Sequence, residues 1–171
     1  MKKSTIAIIA VVVVLLVVSI VFAGLNRSTI EESDGTTVAV EVAGEIIATY
    51  TIDDMKAMEG VETIHKYIKS GSREDEDSDF TGIEVRDLIL AADPTALDNA
   101  KTITAVSGDG YASSYDIDEV MEDSNIMLIY EQDGAALIPY SEGGTGPLRI
   151  VVMVDAFGNR SSFWITKLVV E

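Results

Sequence analysis

Polar positions vanish almost at once in this chain. After Met1, Lys2, Lys3, Ser4 and Thr5, residues 6–25 carry no charge and consist of Ile, Val, Leu and Ala apart from Ser19, Phe22 and Gly24. A helix of that length spans about 30 Å, the thickness of a bilayer's hydrocarbon core. The block predicts a membrane anchor, and the lysines before it place the N-terminus inside and the body outside the cytoplasm. The other reading is a cleavable signal ending near Val21, Phe22 and Ala23, although the apolar core of such signals runs only about 7–15 residues. Either reading takes the body out of the cytoplasm, and without a following cysteine there is no lipoprotein anchor. The expected organisation is residues 1–26 as an N-terminal anchor or uncleaved signal, 27–37 as a polar tether and 38–171 as one domain.

Past the tether the pattern changes to short alternating runs. Residues 38–42 and 46–50 are β-branched and flank Ala43, Gly44 and Glu45, which predicts a hairpin. Thr51 or Asp53 is placed to cap a short helix through Met55 and Met58, stopped by Gly60. Residues 61–68 alternate as a strand does, whereas 71–79 are charged and small and predict a solvated loop. Ile83, Val85, Leu88, Ile89 and Ala92 mark one helical face, ended by Asp93 and Pro94. Strands are expected at 101–107 and 111–116 around a turn at Gly108, Asp109 and Gly110, then a helical turn at 117–121 and a buried strand at 126–130. Asp133 and Gly134 make a tight turn, 140–147 a flexible glycine-rich loop, and 148–154 and 163–170 the last strands. The fold class is α+β, mostly antiparallel strands with a few short helices.

Charge then narrows the partners. The 171 residues hold 12 Lys and Arg against 29 Asp and Glu, a net −17, and without Lys2 and Lys3 the remainder carries −19. Such a surface repels polyanions, so nucleic acid and anionic lipid headgroups are excluded as ligands of the body. The absence of cysteine removes disulfides, thiolate metal sites and cysteine nucleophiles.

Side-chain chemistry adds little by itself. His65 is the only histidine, and no Gly-x-Ser-x-Gly elbow or Ser-x-x-Lys pair is present to activate a serine. One histidine without cysteine argues against zinc. Asp75, Asp77 and Asp79 begin like a calcium loop, but Phe80 stands where the sharp turn needs glycine and Arg86 where a bidentate Glu belongs. Gly143, Gly144, Thr145 and Gly146 lack the Lys and Ser/Thr of a phosphate loop and precede a strand. Asn26 and Asn159 head glycosylation sequons, of which about one is expected by chance.

Four segments taken in order carry more. Phe80, Gly82 and the run to Asp87, Leu88 and Ile89 are followed by Ser107, Asp109, Gly110 and Tyr111. Residues 126–130 with Asp133 and Gly134 come next, then Gly146, Pro147, Leu148 and Arg149, and Trp164 opens the closing strand. This order resembles the molybdopterin-binding domain of the sulfite oxidase-like oxidoreductases over residues 38–171. The resemblance implies that family's fold, a molybdopterin-type cofactor, and a cofactor-contacting role for Arg149, Asp109 and Tyr111. It also implies a molybdenum-ligating cysteine between the first hairpin and Phe80, where this chain has only Ser70, Ser72 and Ser78. No catalytic or metal-ligating residue is therefore expected. Arg149 has a structural alternative, as a cation paired with Asp109 or Asp87.

Two functions remain open at this stage. One is a membrane-anchored extracytoplasmic module without molybdenum catalysis that binds a small ligand or a protein partner. The other is a redox enzyme or accessory redox subunit that still holds a molybdopterin-type cofactor.

Overall fold

The computed structural model describes residues 35–71 and 74–171, all within one compact unit, Asp34–Glu171. The hydrophobic block at 6–25 and the residues up to 34 lie outside the described residues. Among the described residues no helix is long and apolar enough to cross a membrane.

The first hairpin forms as the alternation requires. Strands β1 (Thr37–Val42) and β2 (Glu45–Thr51) pair antiparallel around Ala43 and Gly44, both at positive φ. Thr51 caps helix α1 (Ile52–Lys56) with a reciprocal capping box: its hydroxyl accepts the Asp54 N–H while the Asp54 carboxylate accepts the Thr51 N–H. Strand β3 (Val61–Ile68) pairs with β4 (Glu76–Glu84). Helix α2 (Val85–Ala92) follows directly, burying Val85, Leu88 and Ile89. Next come β5 (Thr102–Ser107), β6 (Ala112–Asp116) and α3 (Ile117–Val120). The chain ends with β7 (Ile126–Gln132), the short β8 (Ala135–Ala136), β9 (Arg149–Val152), the two-residue β10 (Ser162–Phe163) and β11 (Ile165–Val170).

These strands make two sheets. One has the order β2-β1-β11-β5-β6; the other runs β10-β9-β7-β4-β3 with β8 beside β7. All pairings are antiparallel except β1 with β11, which is parallel. Alternation on the second sheet splits its strands between two cores. Ile126, Leu128 and Tyr130 of β7, with Ile150 and Val152 of β9, join Val38, Val40, Ile103 and Leu168 of the first sheet. Met127, Ile129 and Val151 face the other way, onto Ile68, Phe80 and Leu137. Burial on both faces is why β7 reads as an unbroken apolar run.

Three sequence expectations need correction. Residues 76–79 are strand, not loop: the aspartates of the charge run alternate with buried positions, leaving Asp77 and Asp79 exposed while Ser78 and Phe80 are buried. The same strand takes Ile83, so α2 begins at Val85. The final strand is broken at Trp164, whose φ of 52° turns the chain from the second sheet into the first. The glycine-rich loop carries its own backbone hydrogen bonds. Gly144 N–H donates to the Pro139 carbonyl and Gly146 N–H to the Ile138 carbonyl, around a 3-10 turn at Tyr140–Glu142.

Candidate functional site

The side chains of interest gather where β9, β10 and the β5–β6 turn meet. Arg149 stands opposite Phe163 and Ile129 in the second sheet, on the face that also carries Phe80 and Val151. Its side chain is 1% exposed, with the guanidinium between two rings, 5.4 Å from the Phe80 centroid and 5.1 Å from that of Phe163. Nη1 donates to the Glu76 carboxylate at 2.6 Å and Nη2 to its second oxygen at 3.3 Å. The buried Nε has no acceptor. Arg149 is thus an ion-paired cation, as one sequence reading allowed, but the partner is Glu76 rather than Asp109 or Asp87. The pair forms because β4 extends back into the charge run and brings Glu76 onto the face of Phe80.

Two cavities share this corner. One, of about 370 Å³, is lined by Arg149, Glu76, Lys69, Ser70, Asn159 and Phe163, among others. The second, of about 310 Å³, is lined by Asp109, Tyr111, Tyr140 and Phe163 with Ser107, Ser161 and Ser162. Ser161 and Phe163 belong to both. Of the three residues expected at a cofactor, Arg149 therefore faces one cavity and Asp109 and Tyr111 the other. Asp109 shapes the β5–β6 turn, its Oδ1 accepting the Tyr111 N–H at 3.0 Å.

Trp164 holds the second cavity together. Its carbonyl accepts the Gly108 N–H at 2.8 Å. A Cβ on Gly108 would fall 2.4 Å from the indole, and one on Gly35 2.5 Å from it, so both glycines are needed for close approach. Tyr140 stacks on the indole with centroids 5.7 Å apart and planes 19° from parallel. Sequence reasoning missed Glu76, Phe163 and Tyr140. Only the apolar period around Phe163 and the tyrosine ahead of the glycine run hinted at the last two.

The other arginines described are also engaged. Arg86 pairs with Glu84, Asp87 and Asp123; Arg160 pairs with Asp155 and Glu119 and holds the Asp155 carboxyl below the usual range. Burial pushes the Glu84 carboxyl up despite the Ser124 N–H it accepts. His65 lies away from both cavities on the exposed face of β3, with Nδ1 2.8 Å from Asp79 and Nε2 3.2 Å from Asp77. The Asp79 hydrogen bond is the largest cause of a raised His65 pKa.

This donor set does not suit a molybdenum centre. The chain supplies no thiolate, and serine is a harder and far more basic donor. Among the described residues no three His, Asp or Glu side chains converge as a metal site. The buried arginine that a cofactor phosphate would use is already neutralised by Glu76.

The scaffold is nevertheless that of a known family. No curated protein sequence matches the chain. Among solved structures, a chain of the sulfane dehydrogenase SoxCD from Paracoccus pantotrophus superposes with a TM-score of 0.58 at 18% identity. That match covers 78% of this chain and 37% of the other. The likeness is one of fold, and this chain spans little more than a third of its neighbour. The family model described as oxidoreductase molybdopterin binding domain matches residues 27–171. On a match of that extent, over a mostly antiparallel two-sheet fold, the chain belongs to the oxidoreductase molybdopterin-binding domain family.

Proposed function

We propose that this family member works without molybdenum catalysis, as a ligand- or partner-binding module outside the cytoplasm, held at the cell membrane by residues 6–25. The observation that carries the reading is the donor set: a chain with no cysteine in which the one deeply buried arginine among the described residues, Arg149, is closed off by Glu76. The cavities beside that pair remain large enough for a small molecule. Placement at the membrane rests on the length of the apolar block and the lysines before it.

The test is to express the full chain in a host that makes the cofactor, purify it in detergent, and measure bound molybdenum, pterin and N-terminal mass. The expected result is metal and pterin at the background of an unrelated control, on a chain that retains residues 6–25. Near-stoichiometric molybdenum would overturn the reading in favour of a redox enzyme or accessory redox subunit. A mature chain beginning at Gly24 would overturn the anchor alone.

A further inference from the structure

The cavity of about 310 Å³ on the Tyr111 side has a lining that selects by charge. Three of its seven residues are aromatic, and two of them keep much of their surface in water, Tyr111 at 59% and Tyr140 at 41% exposure. Tyr140 is fixed from behind by its stack on Trp164, so its ring reaches a ligand with little further ordering. The Asp109 carboxylate is fixed through one oxygen by the Tyr111 N–H, and among the described residues it has no ion-pair partner. No residue lining this cavity is cationic.

The remaining polar groups are mostly turned inward. Ser107 donates its hydroxyl to the Phe163 carbonyl at 2.7 Å, and Ser162 donates to Ser113 at 2.6 Å. The Tyr111, Tyr140 and Ser161 hydroxyls remain as donors, but no cation stands with them to hold an oxyanion. Ring faces beside a single carboxylate, in a body carrying −19, instead attract a cation with an apolar shell.

We propose that this cavity binds a small organic cation of the quaternary-ammonium kind, with Tyr111 and Tyr140 as its ring walls and Asp109 as its counter-ion. The proposal rests on the reading of this cleft as a ligand site without molybdenum. The volume lies at the lower end of ligand cavities, which suits one compact group rather than an extended chain.

The probe is choline, compared with 3,3-dimethylbutan-1-ol, which has the same shape without the charge. Both are titrated into the full chain in a maltoside detergent, read by the emission of Trp164, the only tryptophan, which sits behind Tyr140. Choline should bind about tenfold tighter than the alcohol. Tyr111→Leu should weaken choline about tenfold and Asp109→Asn at least about threefold, while Tyr111→Phe, which keeps the ring, should retain binding. Unchanged thermal melting of each variant separates a lost site from a lost fold. Equal binding of choline and the alcohol would overturn the proposal, leaving a merely apolar pocket. So would no binding of choline up to about 100 mM, or saturation by methyl glucoside or sulfite instead. Molybdenum measured on the same preparation reports separately on the function proposed above: a metal-free protein that ignores choline sinks the cation site alone.

Discussion

Glu76 and Arg149 lie 73 residues apart, and the pair is asymmetric: the arginine side chain is 1% exposed and the glutamate 24%. Removing the glutamate strands a charge that water cannot reach; removing the arginine leaves one that can still hydrate. Glu76→Gln should therefore cost about 3–5 kcal/mol in urea unfolding, Arg149→Met about 1–3, and the double variant less than their sum. Equal losses would mean that both groups reach solvent. His65 gives a second test at this scale. Its pKa is raised in the folded chain by Asp79 and Asp77, so its contribution is fully present below the unfolded value of about 6.5 and lost as pH rises through the folded one. The native chain should melt above His65→Gln at about pH 5.5 and level with it by about pH 8.5. As the sole histidine, its ring resonances titrate without overlap, and a midpoint at or below 6.5 would refute the pairing.

At the level of elements, what could be read in advance was whatever is local. The first hairpin, the Thr51 cap, the β5–β6 turn and the buried β7 depend on neighbours within a few residues, where periodicity and turn chemistry act. The charge run misled because Asp75, Asp77 and Asp79 share one parity: a loop and the solvated face of a strand place carboxylates identically in sequence. The partner of Arg149 was hidden for the same reason, since only the extension of β4 aligns Glu76 with Phe80. The resemblance grouped Arg149, Asp109 and Tyr111 by order and spacing, but not their division between two cavities that share Ser161 and Phe163, because that depends on how β10 lies between β9 and the β5–β6 turn in three dimensions. Trp164 itself marks a join between sheets. Gly108→Ala would drive a methyl into its clamped indole at 2.4 Å and should cost about 2–3 kcal/mol, with a changed near-UV spectrum. Gly110→Ala meets no neighbour within 4 Å and only a φ of +86°, so its loss should stay near 1 kcal/mol. Equal losses at the two glycines would mean that the indole yields.

Over the whole molecule, charge and connectivity dominate. With 29 acids against 12 bases, the compact state repels itself even though many of its described cations are paired. Raising KCl to about 1 M shortens the screening length to about 3 Å and should raise the melting temperature; a fall would show that attraction within pairs outweighs the surplus. Connectivity sets a different demand. β11 lies in the middle of its sheet, between β1 and β5, and Val40 is aligned with Leu168, 128 residues further on. Until those late residues have been made, β1 and β5 each present an open edge, and Val38, Val40 and Ile103 lack the far wall of their core. So large a loop closure comes late and slowly. The growing chain must stay unfolded, and shielded from its own edges, until β11 is available, so a product interrupted even a few residues before Ile165 should aggregate rather than fold.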